Sequence, residues 1–195
     1  DSAVQLTFGA QRGGDYNNFS TYMIVNTLAR RFDDALAAAR NLPDEAEVQQ
    51  GTITFREDWA AQTLHHMGRS DDARQAAAAA LFRLESLRAE LGEDYRIDLA
   101  EARIRALQGD NQETIKTLVE KSRLAAPQDK VAEFENSYIY AQIFAIAGMT
   151  AEVIEVLEPL LSPPSEASVY LVDLDPSFDA VRDDPEFKAM MERNR

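Results

Sequence analysis

Along most of the chain apolar residues return every three or four positions, in long stretches broken by short polar turns. After Gly68, the residues Ala73, Ala77, Ala80, Leu84, Leu87 and Leu91 form one such stripe, the spacing of a single helix face. It predicts a helix over 71–91 of about 32 Å at 1.5 Å per residue. Two other segments carry two stripes each. Before Gly148, one holds Val131, Phe134, Tyr138, Ala141 and Ala145, and a second holds Ile139, Ile143 and Ile146. Before Gly109, Tyr95, Leu99, Ala102 and Ala106 run beside Ile97, Ala100, Ile104 and Leu107. A helix that is apolar on two sides is packed between neighbours on two sides, as the inner helix of a stacked array must be. No segment shows sustained period-two alternation, and Pro is read at element edges, so the expected fold class is all-α.

The turns repeat. Polar breaks begin at Arg30, Gly68, Gly109 and Gly148, spaced by 38, 41 and 39 residues, and each separates two amphipathic stretches. Three of the four begin with Gly, which adopts the left-handed conformation that ends a helix. Asp33, Ser70 or Asp71, Asn111 and Thr150 are the expected caps of the helices that follow. Five positions after each turn start stands a small or β-branched residue, Ala35, Ala73, Thr114 or Val153, suited to a close helix crossing. These features predict about four helical hairpins over residues 17–162. Residues 1–16, with three Gly and no sustained period, are expected to be an N-terminal arm or a partial element left from a longer protein. Residues 163–195 are expected to be a capping segment. There, Asp175-Pro176 and Asp184-Pro185 each offer an Asp cap followed by Pro in the first helical position. Phe178, Val181, Phe187, Met190 and Met191 would then fold back onto the last repeat.

Charge narrows the partners. Thirty-four acidic against twenty basic residues give a net charge of −14. This argues against binding a nucleic-acid backbone or an anionic membrane surface, both of which need clustered Lys and Arg. The 150–187 stretch holds ten acids and one base, read either as a solvated end or as a docking face for a basic partner. There is no Cys, which removes disulfides, thiolate ligands and cysteine nucleophiles.

The turns and their flanks resemble tetratricopeptide repeats, with Ala61, Ala102 and Ala141 seven positions before the turn glycines. The period here is longer than the family's, which is about 34 residues, and Thr114 and Val153 stand where the family has Ala. The tail from Leu174 to Phe187 resembles the end of such arrays in bacterial multidomain proteins, behind kinase, adenylate cyclase or membrane-anchored winged-helix modules. The resemblance implies a right-handed superhelix whose first helices line a concave groove. It also implies a place on either the cytoplasmic or the extracytoplasmic side of a bacterial membrane protein. The groove positions would be Asp58, Gln62 and His65, then Arg96 and Arg103, then Tyr138 and Gln142. Tyr138 also lies on an apolar stripe, so groove and core are both open to it.

No catalytic set emerges. His65 and His66 are the only histidines; neighbours on a helix point about 100° apart and do not chelate one ion well. The acidic pairs at helix starts are explained by the helix dipole. Gly13-Gly14 lacks the Lys and strand of a phosphate loop, and Asn18-Phe19-Ser20 is a short glycosylation pattern of common occurrence. The expected function is therefore non-catalytic, without metal or cofactor: a scaffold binding a protein segment or its own upstream domain in the groove. The alternative is a sensory domain that binds a small ligand in the hollow and controls an upstream kinase or transcription module. Self-association through a terminal repeat or the Ala73–Leu91 stripe is a further expectation.

Overall fold

The structure, a computed structural model, describes residues 16–43, 46–49, 52–127, 130–162 and 167–195. The arm expected over 1–16 lies outside the described residues up to position 15, as does Gly13-Gly14. Eight helices form four hairpins: α1 (Tyr16–Leu28) with α2 (Phe32–Arg40), α3 (Arg56–His66) with α4 (Ser70–Leu91), α5 (Tyr95–Gln108) with α6 (Gln112–Ala125), and α7 (Lys130–Ile146) with α8 (Thr150–Leu161). The hairpins stack in chain order, with α2 on α3, α4 on α5 and α6 on α7. The first helices α3, α5 and α7 also touch one another along one face of the stack. A short helix α9 (Val169–Leu174), a 3₁₀ turn (Pro176–Phe178) and α10 (Pro185–Arg193) complete the chain.

One device makes all four hairpin turns. Arg30, Gly68, Gly109 and Gly148 have φ between 56° and 78°. In each, the left-handed residue donates its N–H to the carbonyl three residues back. The next N–H reaches the carbonyl five back, at 2.8–3.0 Å throughout. This is a Schellman ending, which satisfies the last carbonyls of the first helix while reversing the chain. Arg30 takes the same conformation without being Gly, at a cost of about 1 kcal/mol.

The helices pack where the turns place them. Met23, Ala61, Ala102 and Ala141, each seven residues before its turn, are fully buried, and so are Ala35 and Val153, with Ala73 close to it. The third turn departs from expectation. Ile115, not Thr114, is the buried residue, because Asn111 adds one residue and caps α6 by accepting the Glu113 N–H at 2.8 Å. Of the four expected caps, Asn111 alone works through its side chain. Helices α2, α4 and α8 have Arg31, Arg69 and Met149 in the N-cap position, with no side-chain cap bond. There the Schellman residue leads directly into the next helix, and the acids of the first turn act through the dipole. Pro159 lies inside α8 rather than at its edge. The Ala73–Leu87 part of the α4 stripe is consumed by packing within the chain, so of that stripe only Leu91 remains exposed.

Two three-residue strands interrupt the all-helical pattern. Strand β1 (Glu47–Gln49) pairs antiparallel with β2 (Thr52–Thr54), Val48 opposite Ile53. Segments this short cannot display a period of two. Ile53 and Phe55 are buried in the main core, and β2 rests on α5. Both Asp-Pro steps cap as expected: Asp175 accepts the Ser177 N–H, and Asp184 accepts those of Glu186 and Phe187. Phe178, Val181, Phe187, Met190 and Met191 are buried in the same core as α5 and α7; a buried side chain of this kind contributes about 1.5–3 kcal/mol.

Adding a Cβ at Gly109 meets nothing within 4 Å, so substitution there isolates the backbone term. Gly109→Ala is expected to lower the unfolding free energy by about 1–2 kcal/mol, with an unchanged urea m-value and an unchanged circular dichroism spectrum.

Candidate functional site

The position six residues before each left-handed turn residue faces one common hollow. These positions are Ile24 on α1, Gln62 on α3, Arg103 on α5 and Gln142 on α7. The hollow is a cavity of about 340 Å³, within the usual range of small-molecule sites. Its walls are mainly apolar: Ile24 and Leu28 from the first helix, the Trp59 ring from α3, Ile139 from α7 and Leu171 from α9. Thr52 and Thr54 close one side from the β-hairpin, and Asp175 and Ser177 close another from the C-terminal segment. The tail therefore does more than cover the end of the stack; it shares one cavity with the first helices.

Two hydrogen-bonded carboxylates organise the polar part. Asp58 on α3 is fully buried, and Arg103 is nearly so. The guanidinium meets the carboxylate fork to fork, Nη2 to Oδ2 at 2.7 Å and Nε to Oδ1 at 3.2 Å. Nη2 also donates to the Ile53 carbonyl at 3.0 Å, and Nη1 to Thr52 Oγ1 at 3.4 Å. Burial pushes the Asp58 carboxyl up, against the opposing pull of Arg103 and of a hydrogen bond from Gln62. Asp175, also buried, accepts from Gln142 Nε2 at 2.7 Å and Tyr138 Oη at 3.1 Å. Burial, with Asp175 beside it, raises the Tyr138 phenol, which is a donor here and not an acid. Its ring stands edge-on to Phe178, centroids 5.9 Å apart.

Two residues beyond Leu28 and Ser177, the first turn and the tail are clasped together. Arg30 Nη1 and Nη2 donate to Asp179 Oδ2 and Oδ1 at 2.7 and 2.8 Å, joining residues 149 apart in the chain. Arg182 shares the same carboxylate at 3.0 Å. Asp179 is held below the usual carboxylate range by these two guanidinium groups, Arg30 foremost. The pair is exposed on both sides, 46% and 43%. Much of the acidic stretch is likewise engaged within the chain: Glu152 with Lys116, Glu158 with Arg193, Asp173 with Arg182 and Arg195, Asp183 with Lys188.

The seven residues expected to line a groove thus separate. Gln62, Arg103, Tyr138 and Gln142 line the cavity. Asp58 stands behind it, anchoring Arg103. His65 is on the same helix but not among the lining residues. Arg96 is elsewhere, in a polar surface hollow at the start of α5, held by Asp94 at 2.6 Å and 5.9 Å above the Tyr95 ring. Sequence reasoning missed Trp59 and the part the tail residues play in the cavity wall. The −6 register of the turns would have found the ring of four, but nothing local to Asp175 says which face it meets. No family model, no curated protein and no solved structure matches the chain.

Two outcomes follow from the site's electrostatics. Arg103→Met strands a buried carboxylate and is expected to cost about 3–5 kcal/mol. Adding Asp58→Leu removes that charge and is expected to recover most of the loss, measured by urea unfolding. Burial pushes the His66 imidazole from 6.5 down to about 4, with His65 and Arg30 acting in the same sense and Asp175 and Asp179 against it. The folded state thus favours neutral His66, while the unfolded state takes up the proton first. Stability is expected to fall as pH drops from 6.5 towards 4, by about 3 kcal/mol from this group. The fall should be shallower by that amount in His66→Gln, measured by urea unfolding at matched pH values.

Proposed function

We propose that this chain is a non-catalytic helical-repeat module, a TPR-like right-handed superhelix, that binds a small ligand in its hollow and passes its occupancy to a partner domain. The observation that carries this is the cavity itself. All four first helices and the C-terminal segment converge on it, its walls are mainly apolar, and its size is that of a small-molecule site. The tail shares this cavity with the first helices, which suits a compact ligand better than an extended peptide. A stacked scaffold favours such a task because it is ordered before the ligand arrives. The acid–base side chains support the same reading: Asp58, Tyr138 and Asp175 are all committed to bonds within the chain.

A protein contact also has a specific observation in its favour. Tyr170 and Leu174, one turn apart on α9, are 77% and 55% exposed, while Leu171 on the same short helix lines the cavity. One helix therefore carries a cavity wall and an outward apolar pair, a route by which a bound ligand alters a docking face.

The test is to incubate the protein with a low-molecular-mass cell extract, desalt it, denature it and identify what is released by mass spectrometry. Wild type is expected to release a small molecule in near-equimolar amount, and Ile139→Phe, which fills the cavity, at least tenfold less. Equal release from both, or none from either, would overturn the reading.

A further inference from the structure

We infer that the cavity selects an uncharged, largely apolar ligand carrying one hydrogen-bonding head group, and that it rejects carboxylates and ammonium ions of the same skeleton. This rests on the small-ligand reading above and names the chemistry of that ligand. The argument is from the closure of charge around the hollow.

The cation on its wall, Arg103, already meets a carboxylate with two of its nitrogens and a backbone carbonyl with one of those. The anion on its wall, Asp175, is already supplied with three donors: Tyr138 Oη, Gln142 Nε2 and the Ser177 N–H. The clasp beside the hollow, Arg30 with Asp179 and Arg182, is closed in the same way. An anionic ligand would enter a space that already holds Asp175 and, behind Arg103, Asp58. A cationic ligand would have to share Asp175 with three donors and face the Arg103 guanidinium. In either case a charge leaves water for a mainly apolar space without a free counter-charge, which is unfavourable. A neutral ligand meets no such opposition. What the walls still offer it is dipolar: the Nη1 side of Arg103, whose bond to Thr52 is long at 3.4 Å, the Gln62 and Gln142 carbonyl oxygens, and the neutral imidazole of His66. That set fits a hydroxyl, an amide or a ketone. The apolar remainder of the ligand would lie against Ile24, Leu28, Trp59, Ile139 and Leu171.

The chain has a single Trp, and it lines this cavity, so its fluorescence reports entry directly. The experiment titrates octanamide, octanoate and the octylammonium ion into the whole protein at neutral pH, following Trp59 emission and, independently, saturation-transfer NMR of each probe. Octanamide is expected to bind saturably and at least tenfold more tightly than either ion. Ile139→Phe, with circular dichroism unchanged, is expected to abolish its effect; Leu171→Phe serves the same purpose should the first variant not fold. Octanoate or octylammonium binding as tightly as the amide would overturn the neutral class while leaving a small-ligand site in place. No saturable response from any probe by either readout would overturn both this inference and the reading beneath it.

Discussion

The Asp58–Arg103 pair is the constraint on which the site depends. It joins α3 to α5 and, through the Ile53 carbonyl, joins both to the β-hairpin. Each of these elements supplies part of the cavity wall. Buried ion pairs contribute little net stability compared with well-packed apolar groups, so the pair is better understood by what it positions. A leucine and a methionine in its place would hold the two helices together equally well. They would not fix the rotation of α5 relative to β2, because dispersion contacts have no direction, whereas a forked guanidinium has only a few acceptable orientations.

The C-terminal segment is positioned by a second logic. Its apolar residues, Phe178 and Phe187 stacked with centroids 6.1 Å apart, anchor it on the main core. Its polar residues then turn Asp175 towards α7. Burial gives the attachment its strength, and the Tyr138–Asp175–Gln142 bonds give it its register. The same division runs through the repeats, where Ala61, Ala102 and Ala141 permit close approach and the left-handed residues fix the angle of return.

Most of the helical framework was legible because its determinants are local. A glycine at the end of a 3.6-residue stripe specifies a turn whatever surrounds it, and Asp-Pro specifies a helix start. The length beyond a 34-residue period also has a local source: the β-hairpin between the first two repeats, the 22-residue α4 in the second and the 17-residue α7 before the last turn. What escaped the sequence was non-local. Thr52 and Ile53 gain their role from Arg103, about 50 residues away, and Asp175 from Gln142, 33 away. Arg103 reads as a solvent-facing groove residue because its own helix gives no sign of the hairpin that covers it. A fixed count from the turn points to Thr114 as the crossing residue because the one inserted position at Asn111 is invisible to it.

A stack of repeats has two free ends, and ordinarily each end loosens before the middle does. Here the first hairpin and the tail are tied to each other by Arg30 and Asp179. An exposed pair of this kind is worth about 1 kcal/mol or less, while taking the core apart costs several times that. The clasp can therefore break and re-form while the hairpins and the buried anchors of the tail stay in place.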